Sequence, residues 1–103
     1  MSLGGWSETK PANGEVRMLC EGFWNISESK TGQKYQEFNA IEYRSQVVAG
    51  INYLIKVQVG KNDYVHLLIF QSPLLETKFE GVQGDHKLED PLVPFEPFSE
   101  KTT

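Results

Sequence analysis

Cys20, His66 and His86 are the side chains with the widest chemical repertoire in this chain. A cysteine beside a histidine can form a nucleophile and its base. Such a pair also needs spatial adjacency and an oxyanion site, and nothing in the sequence argues for either. Cys20 falls on the apolar face of a candidate helix, where a thiol is inert packing. His66, between Val65 and Leu67, reads as a surface or packed imidazole. The histidines lack metal-ligand spacing, and no glycine-rich phosphate loop occurs, so no cofactor or metal is expected. The chemistry on offer is contact. Gln46-Val47-Val48-Ala49-Gly50 lies between two strand-like runs, where a hairpin tip is normally polar because it faces water. Two valines and an alanine at that place mark a binding surface.

The elements around this tip can be read from hydrophobic spacing. Residues 1–12 carry Gly, Pro, Ser and Thr and read as a flexible arm. Asn13 can cap a helix, with Glu15 in its first turn favoured by the helix dipole. Val16, Leu19, Cys20, Phe23 and Ile26 share one face of it. Gly22 costs about 1 kcal/mol inside a helix relative to Ala, so this helix depends on packing. Gly32 is a natural stop. The match to a glycosylation sequon at Asn25-Ile26-Ser27 falls on this helix and reads as chance.

Strands come next. Residues 35–45 form the first, and its apolar parity slips between Ala40 and Ile41, as a β-bulge requires. The second has the clearest pattern: Ile51, Tyr53, Ile55, Val57 and Val59 alternate with Asn52, Leu54, Lys56 and Gln58. That pattern reads as a half-buried antiparallel strand. After a polar turn at residues 60–63, residues 64–71 form the third, with Val65, Leu67 and Ile69 toward the core. Residues 72–76 make a second apolar turn, and a weaker strand runs from 78 to 83. Pro91, Pro94 and Pro97 keep the tail from being a regular central strand, and residues 99–103 read as a flexible end. The fold class is α+β: one N-terminal helix packed across a twisted antiparallel sheet, a single domain over residues 1–103.

A sequential meander puts successive turns at alternate ends of the sheet. The turns at 46–50 and 72–76 then share one end, and the helix start and the arm arrive at the same place. The result is a narrow apolar wedge, the complement of a cleft in another protein.

Composition narrows the partner class. The chain has 103 residues and a formal net charge of −4, with its basic residues scattered, which argues against nucleic acid. No apolar run is long enough to span a membrane, and the first residues lack the pattern of a secretory leader. One cysteine excludes an intramolecular disulfide and fits a reducing compartment, so a cytoplasmic location is expected.

Gln46-Val47-Val48-Ala49-Gly50 resembles the signature of the cystatins. With Asn52-Tyr53, Ile55-Lys56-Val57, Gly60, Val65-His66-Leu67 and Phe70-Gln71-Ser72 around it, the chain looks like a stefin, the single-domain intracellular branch. The resemblance implies a reversible, tight-binding inhibitor of papain-like cysteine proteases such as cathepsins, not an enzyme. It implies that Leu3 and Gly4 of the arm, the turn Gln46, Val47, Val48, Ala49 and Gly50, and Pro73 and Leu74 of the second turn enter the protease cleft together. Gly5 competes with Gly4 for the place of the arm's glycine, and Trp6 either grips the partner or folds back on the domain. Many stefins have Leu-Pro where this chain has Pro73-Leu74, and Phe95 and Phe98 both compete for the place of the terminal aromatic. A monomer is expected. The competing reading is strand exchange into a dimer, because residues 51–59 are a long β-prone run beside a hinge-like turn.

Overall fold

A computed structural model describes residues 5–97. Leu3, Gly4, Phe98 and the end at 99–103 lie outside the described residues. The order is β1 (Lys10–Pro11), α1 (Gly14–Glu21), α2 (Trp24–Thr31), β2 (Asn39–Val48), β3 (Gly50–Gly60), β4 (Asp63–Gln71) and β5 (Thr77–His86). The strands form one sheet in sequence order, each pair antiparallel. α1 lies against β2 and α2 against β5, so the helical segment crosses one face of the meander. No helix among the described residues is long and apolar enough to cross a membrane.

The helix is broken where hydrophobic spacing predicts a continuous one. Asn13 caps α1 as expected, its Oδ1 accepting from the Val16 amide at 2.9 Å. Gly22 and Phe23 then leave the helical ladder, and the Phe23 amide donates to the Cys20 carbonyl at 2.9 Å. The interruption shifts the phase of α2 relative to α1. Ser27 turns inward and is buried, while Ile26, expected on the apolar face, is exposed. Gly32, at φ 72°, ends α2 in the left-handed conformation that glycine adopts without Cβ strain.

The arm is tied down from Trp6 onward, in contrast to the flexible segment expected through residue 12. Lys10 pairs with Tyr43 and Pro11 with Glu42. Trp6 makes an isolated antiparallel bridge to Gln46. The expected bulge is present, with the β2–β3 register shifting between Ala40 and Glu42.

The sheet has a core on each face. On the helix side, Val16 and Cys20 pack with Tyr53, Ile55, Val57, Val59, Val65, Leu67, Ile69 and Val82. The other face was expected to meet water. It is covered instead: Leu54, Leu68 and Leu92 form a second cluster, joined by Trp6 and Phe95. The prolines bar residues 91–97 from pairing as a strand but not from packing, and the tail straps this face. β3 is therefore buried on both faces over most of its length, not half-buried.

Candidate functional site

Strand register brings the apolar turns together. Val48 pairs with Gly50 across the β2–β3 tip, and Ile51, one residue on, pairs with Gln71 at the end of β4. The second turn begins at the next residue, Ser72. Trp6 reaches the same end through its bridge to Gln46. Next to that bridge the Ser7 amide donates to the Ser45 carbonyl at 2.7 Å, and the Ser45 amide donates to Ser7 Oγ at 3.0 Å. The arm therefore approaches the apolar edge along β2.

The tip is held by its backbone and braced by its side chains. Asn52 Nδ2 donates to Gln46 Oε1 at 2.7 Å across the hairpin. Gly50 sits at φ 124°, where an L side chain is strained. A Cβ there would also meet the Gln71 carbonyl oxygen at 2.5 Å and Phe70 Cζ at 2.6 Å. With glycine in that place, β2 turns back on itself in one residue, Ala49, and Val47 projects from the edge. Val47 is 57% exposed, while Val48 is half-buried.

The second turn is a compact, hydrogen-bonded loop. The Ser72 amide donates to the Glu76 carbonyl and the Leu75 amide to the Ser72 carbonyl, each at 2.8 Å. Ser72 Oγ accepts from the Leu74 and Glu76 amides at 3.2 and 3.1 Å. Leu75 takes φ 68°, unusual for a branched residue. With the loop tied inside, its side chains point out: Leu74 is 83% exposed and Leu75 72%. Leu75 is absent from the set read from sequence, which ends at Pro73 and Leu74. Its signal was the unbroken apolar run Pro73-Leu74-Leu75. Trp6 folds back: it is half-buried against the second core while its backbone reaches the edge.

The geometry offers no catalytic pair from Cys20 and His66. Cys20 lies in the helix-side core, and burial pushes its thiol up to about 12. His66 belongs to the opposite face, next to His86. The sheet separates them.

This arrangement, a helical segment across a five-stranded meander with two apolar turns and an arm at one end, is the cystatin architecture. A family profile for the cystatin domain matches residues 4–90. Leukocyte cysteine proteinase inhibitor 1 of Sus scrofa is 46% identical over 98 residues, covering 92% of this chain and 95% of that protein. Cystatin-A1 of Sus scrofa is 43% identical with the same coverage. Stefin-1 of Mus musculus is 39% identical over 97 residues, 92% of this chain and 100% of that protein. The chain belongs to the cystatin family, as a stefin-type member.

Proposed function

We propose that this protein is a reversible, tight-binding inhibitor of papain-like cysteine proteases of the cathepsin class. It acts in the cytoplasm as a monomer and needs no cofactor. The observation that carries this reading is the register that places Val47 and the Leu74–Leu75 turn, all exposed apolar residues, at one end of the sheet beside the arm. The family and its protease-inhibitor relatives support the same reading. Gln46, Val47, Val48, Ala49 and Gly50 form the centre of the wedge, Pro73 and Leu74 one flank, and Leu3 and Gly4 the other. The wedge fills the protease cleft and presents no correctly placed scissile bond, so the protease is blocked and the inhibitor survives.

The test is a titration of papain activity with purified monomer and a fluorogenic peptide substrate. A sharp one-to-one endpoint is expected. A folded monomer that leaves papain fully active would overturn the reading.

A further inference from the structure

The sheet face opposite the helices carries a polar row that the inhibitory edge does not use. Register places Glu42 opposite Lys56, Lys56 opposite His66, and His66 opposite Gln83, straight across four strands. His86 and the chain after it roof this row. Lys56 is 1% exposed, yet each of its three donors has an acceptor: Glu42 Oε2 at 3.0 Å, the Asp90 carbonyl at 2.6 Å and the Leu88 carbonyl. The ammonium thus fastens residues 88–90 to the sheet.

His66 is also 1% exposed, and its Nε2 is buried with no hydrogen-bond partner among the described residues. The His86 ring stacks on it, with centroids 3.6 Å apart and planes 7° from parallel. His86 Nδ1 meets Asp90 Oδ2 at 2.8 Å, and its Nε2 meets Gln83 Oε1 at 3.1 Å. Asp90 Oδ2 also accepts from the Lys87 amide at 3.0 Å.

The charges around the stack come from every element packed there. Glu42 on β2 pairs with Lys56 on β3, and the Asp90 carboxylate is hydrogen-bonded to the His86 ring. Lys87 and Glu89 of the strap are exposed, and Lys87 Nζ donates to the Asn62 carbonyl. Among the described residues no carboxylate pairs with His66. A proton on His66 therefore places an unmatched charge in a buried site between an ammonium and a second imidazole.

We propose that the His66–His86 stack is an acid-sensitive latch, in which proton uptake by His66 releases the strap of residues 87–97 and loosens the arm at the inhibitory edge. The link to the edge runs through packing and one guanidinium. Leu92 and Phe95 of the strap pack with Trp6 over Leu54 and Leu68. Arg44 Nε donates to the Ser7 carbonyl at 2.8 Å and its NH1 to the Leu92 carbonyl at 2.7 Å, tying arm to strap. Trp6 in turn bridges Gln46. The effect on inhibition rests on the inhibitor reading; the latch itself does not.

The sign of the pH effect is set by the burial. Desolvation first, then the proximity of His86 and Lys56, holds His66 down to about 4 against an ordinary 6.5, with Asp90 opposing. An open strap lets His66 return toward its ordinary value. Closure is thus fully favoured above about 6.5 and weakens as pH falls toward 4. Over that span the closing equilibrium falls by up to roughly 300-fold, tenfold for each pH unit.

The experiment is an NMR pH titration of the free full-length chain from pH 7.5 to 3.5. It tracks the His66 ring, the Trp6 indole, the Leu92 and Phe95 amides, and the Ile55 and Leu67 amides as core references. Wild type is compared with His66→Gln and with His66→Phe, which keeps a stacking ring and cannot take up a proton. The strap and Trp6 signals should leave their closed positions as His66 titrates, while Ile55 and Leu67 hold. Both variants should open at least one pH unit lower. The papain off-rate of wild type should rise at least threefold from pH 7 to 5, and that of His66→Phe should stay flat. A strap that stays closed while His66 titrates, variants that open with wild type, or a core that melts together with the strap would each overturn the latch. Failure to inhibit at pH 7 would overturn the inhibitor reading and leave the NMR result standing.

Discussion

Val47 is the residue on which affinity should turn. It faces Ile51 across the hairpin, yet more than half of its surface meets water, and neither core includes it. Burying such a side chain in a partner contributes about 1.5–3 kcal/mol, roughly ten- to a hundredfold in affinity. Val47→Asp removes that term and forces a carboxylate into an apolar contact. Papain inhibition should weaken at least tenfold, while the urea midpoint of the free protein corresponds to a change within about 0.5 kcal/mol, as for other exposed sites. Equal inhibition by wild type and variant would remove Val47 from the interface. Gly50 behaves in the opposite way, because its role is conformational. Gly50→Ala meets a φ of 124° and a contact of 2.5 Å with a backbone oxygen that cannot easily move. It should destabilise the fold by about 1–3 kcal/mol and weaken inhibition as well. A chemical denaturation curve that superposes on wild type would contradict this. Both roles are legible in the chain, since an apolar turn ending in glycine states its exposure and its geometry together. His66 is less legible: an imidazole between Val65 and Leu67 does not reveal that a second ring from the tail covers it.

Among the elements, strands are easier to read than the helix and the tail. The bulge after Ala40 is implied by a parity slip, because a strand with a period of two cannot change face without an extra residue. The helix break is not implied by spacing. Gly22 is visible only as a cost, and the residues after it keep a helical rhythm that the structure puts out of phase. Gly22 itself has φ −70° and nothing within 4 Å of where a Cβ would stand. Gly22→Ala should therefore stabilise the protein by about 0.4–1 kcal/mol, mainly by restricting the unfolded chain. A lower urea midpoint for the variant would show that the break needs glycine. The tail is hard to read for a different reason. Prolines exclude ladder pairing, but they do not exclude packing. Leu92 shows that an unpaired segment can still bury a side chain, and Leu54 and Leu68, on the face expected to be polar, are the signal that something must cover them.

At the scale of the whole molecule, the sheet mounts one tight reversal, and the inhibition proposed above depends on it. The tip is a turn of one residue between strands of ten and eleven residues, paired from Asn39 with Gln58 to Val48 with Gly50 apart from the bulge after Ala40. Strand exchange between two copies would replace that reversal by a straight passage from β2 into β3. It would relieve the constraint at Gly50 and preserve nearly every ladder bond, now made between chains. The cost is the tip itself, because Val47, Val48 and Ala49 would lie within a continuous strand and no longer project. An exchanged dimer should thus keep its far-ultraviolet circular dichroism and lose papain inhibition in proportion to the dimer fraction. Mild heating at several concentrations, then size-exclusion chromatography and titration of each peak, measures this directly. The monomer peak is expected to inhibit one-to-one, and the dimer peak to inhibit at least tenfold more weakly. A dimer with full activity would mean that association leaves the reversal intact and that the hinge lies elsewhere. A chain that stays monomeric throughout would mean that the constraint at Gly50 is too small to drive exchange against the second core, whose strap at Leu92 also resists the opening of β3.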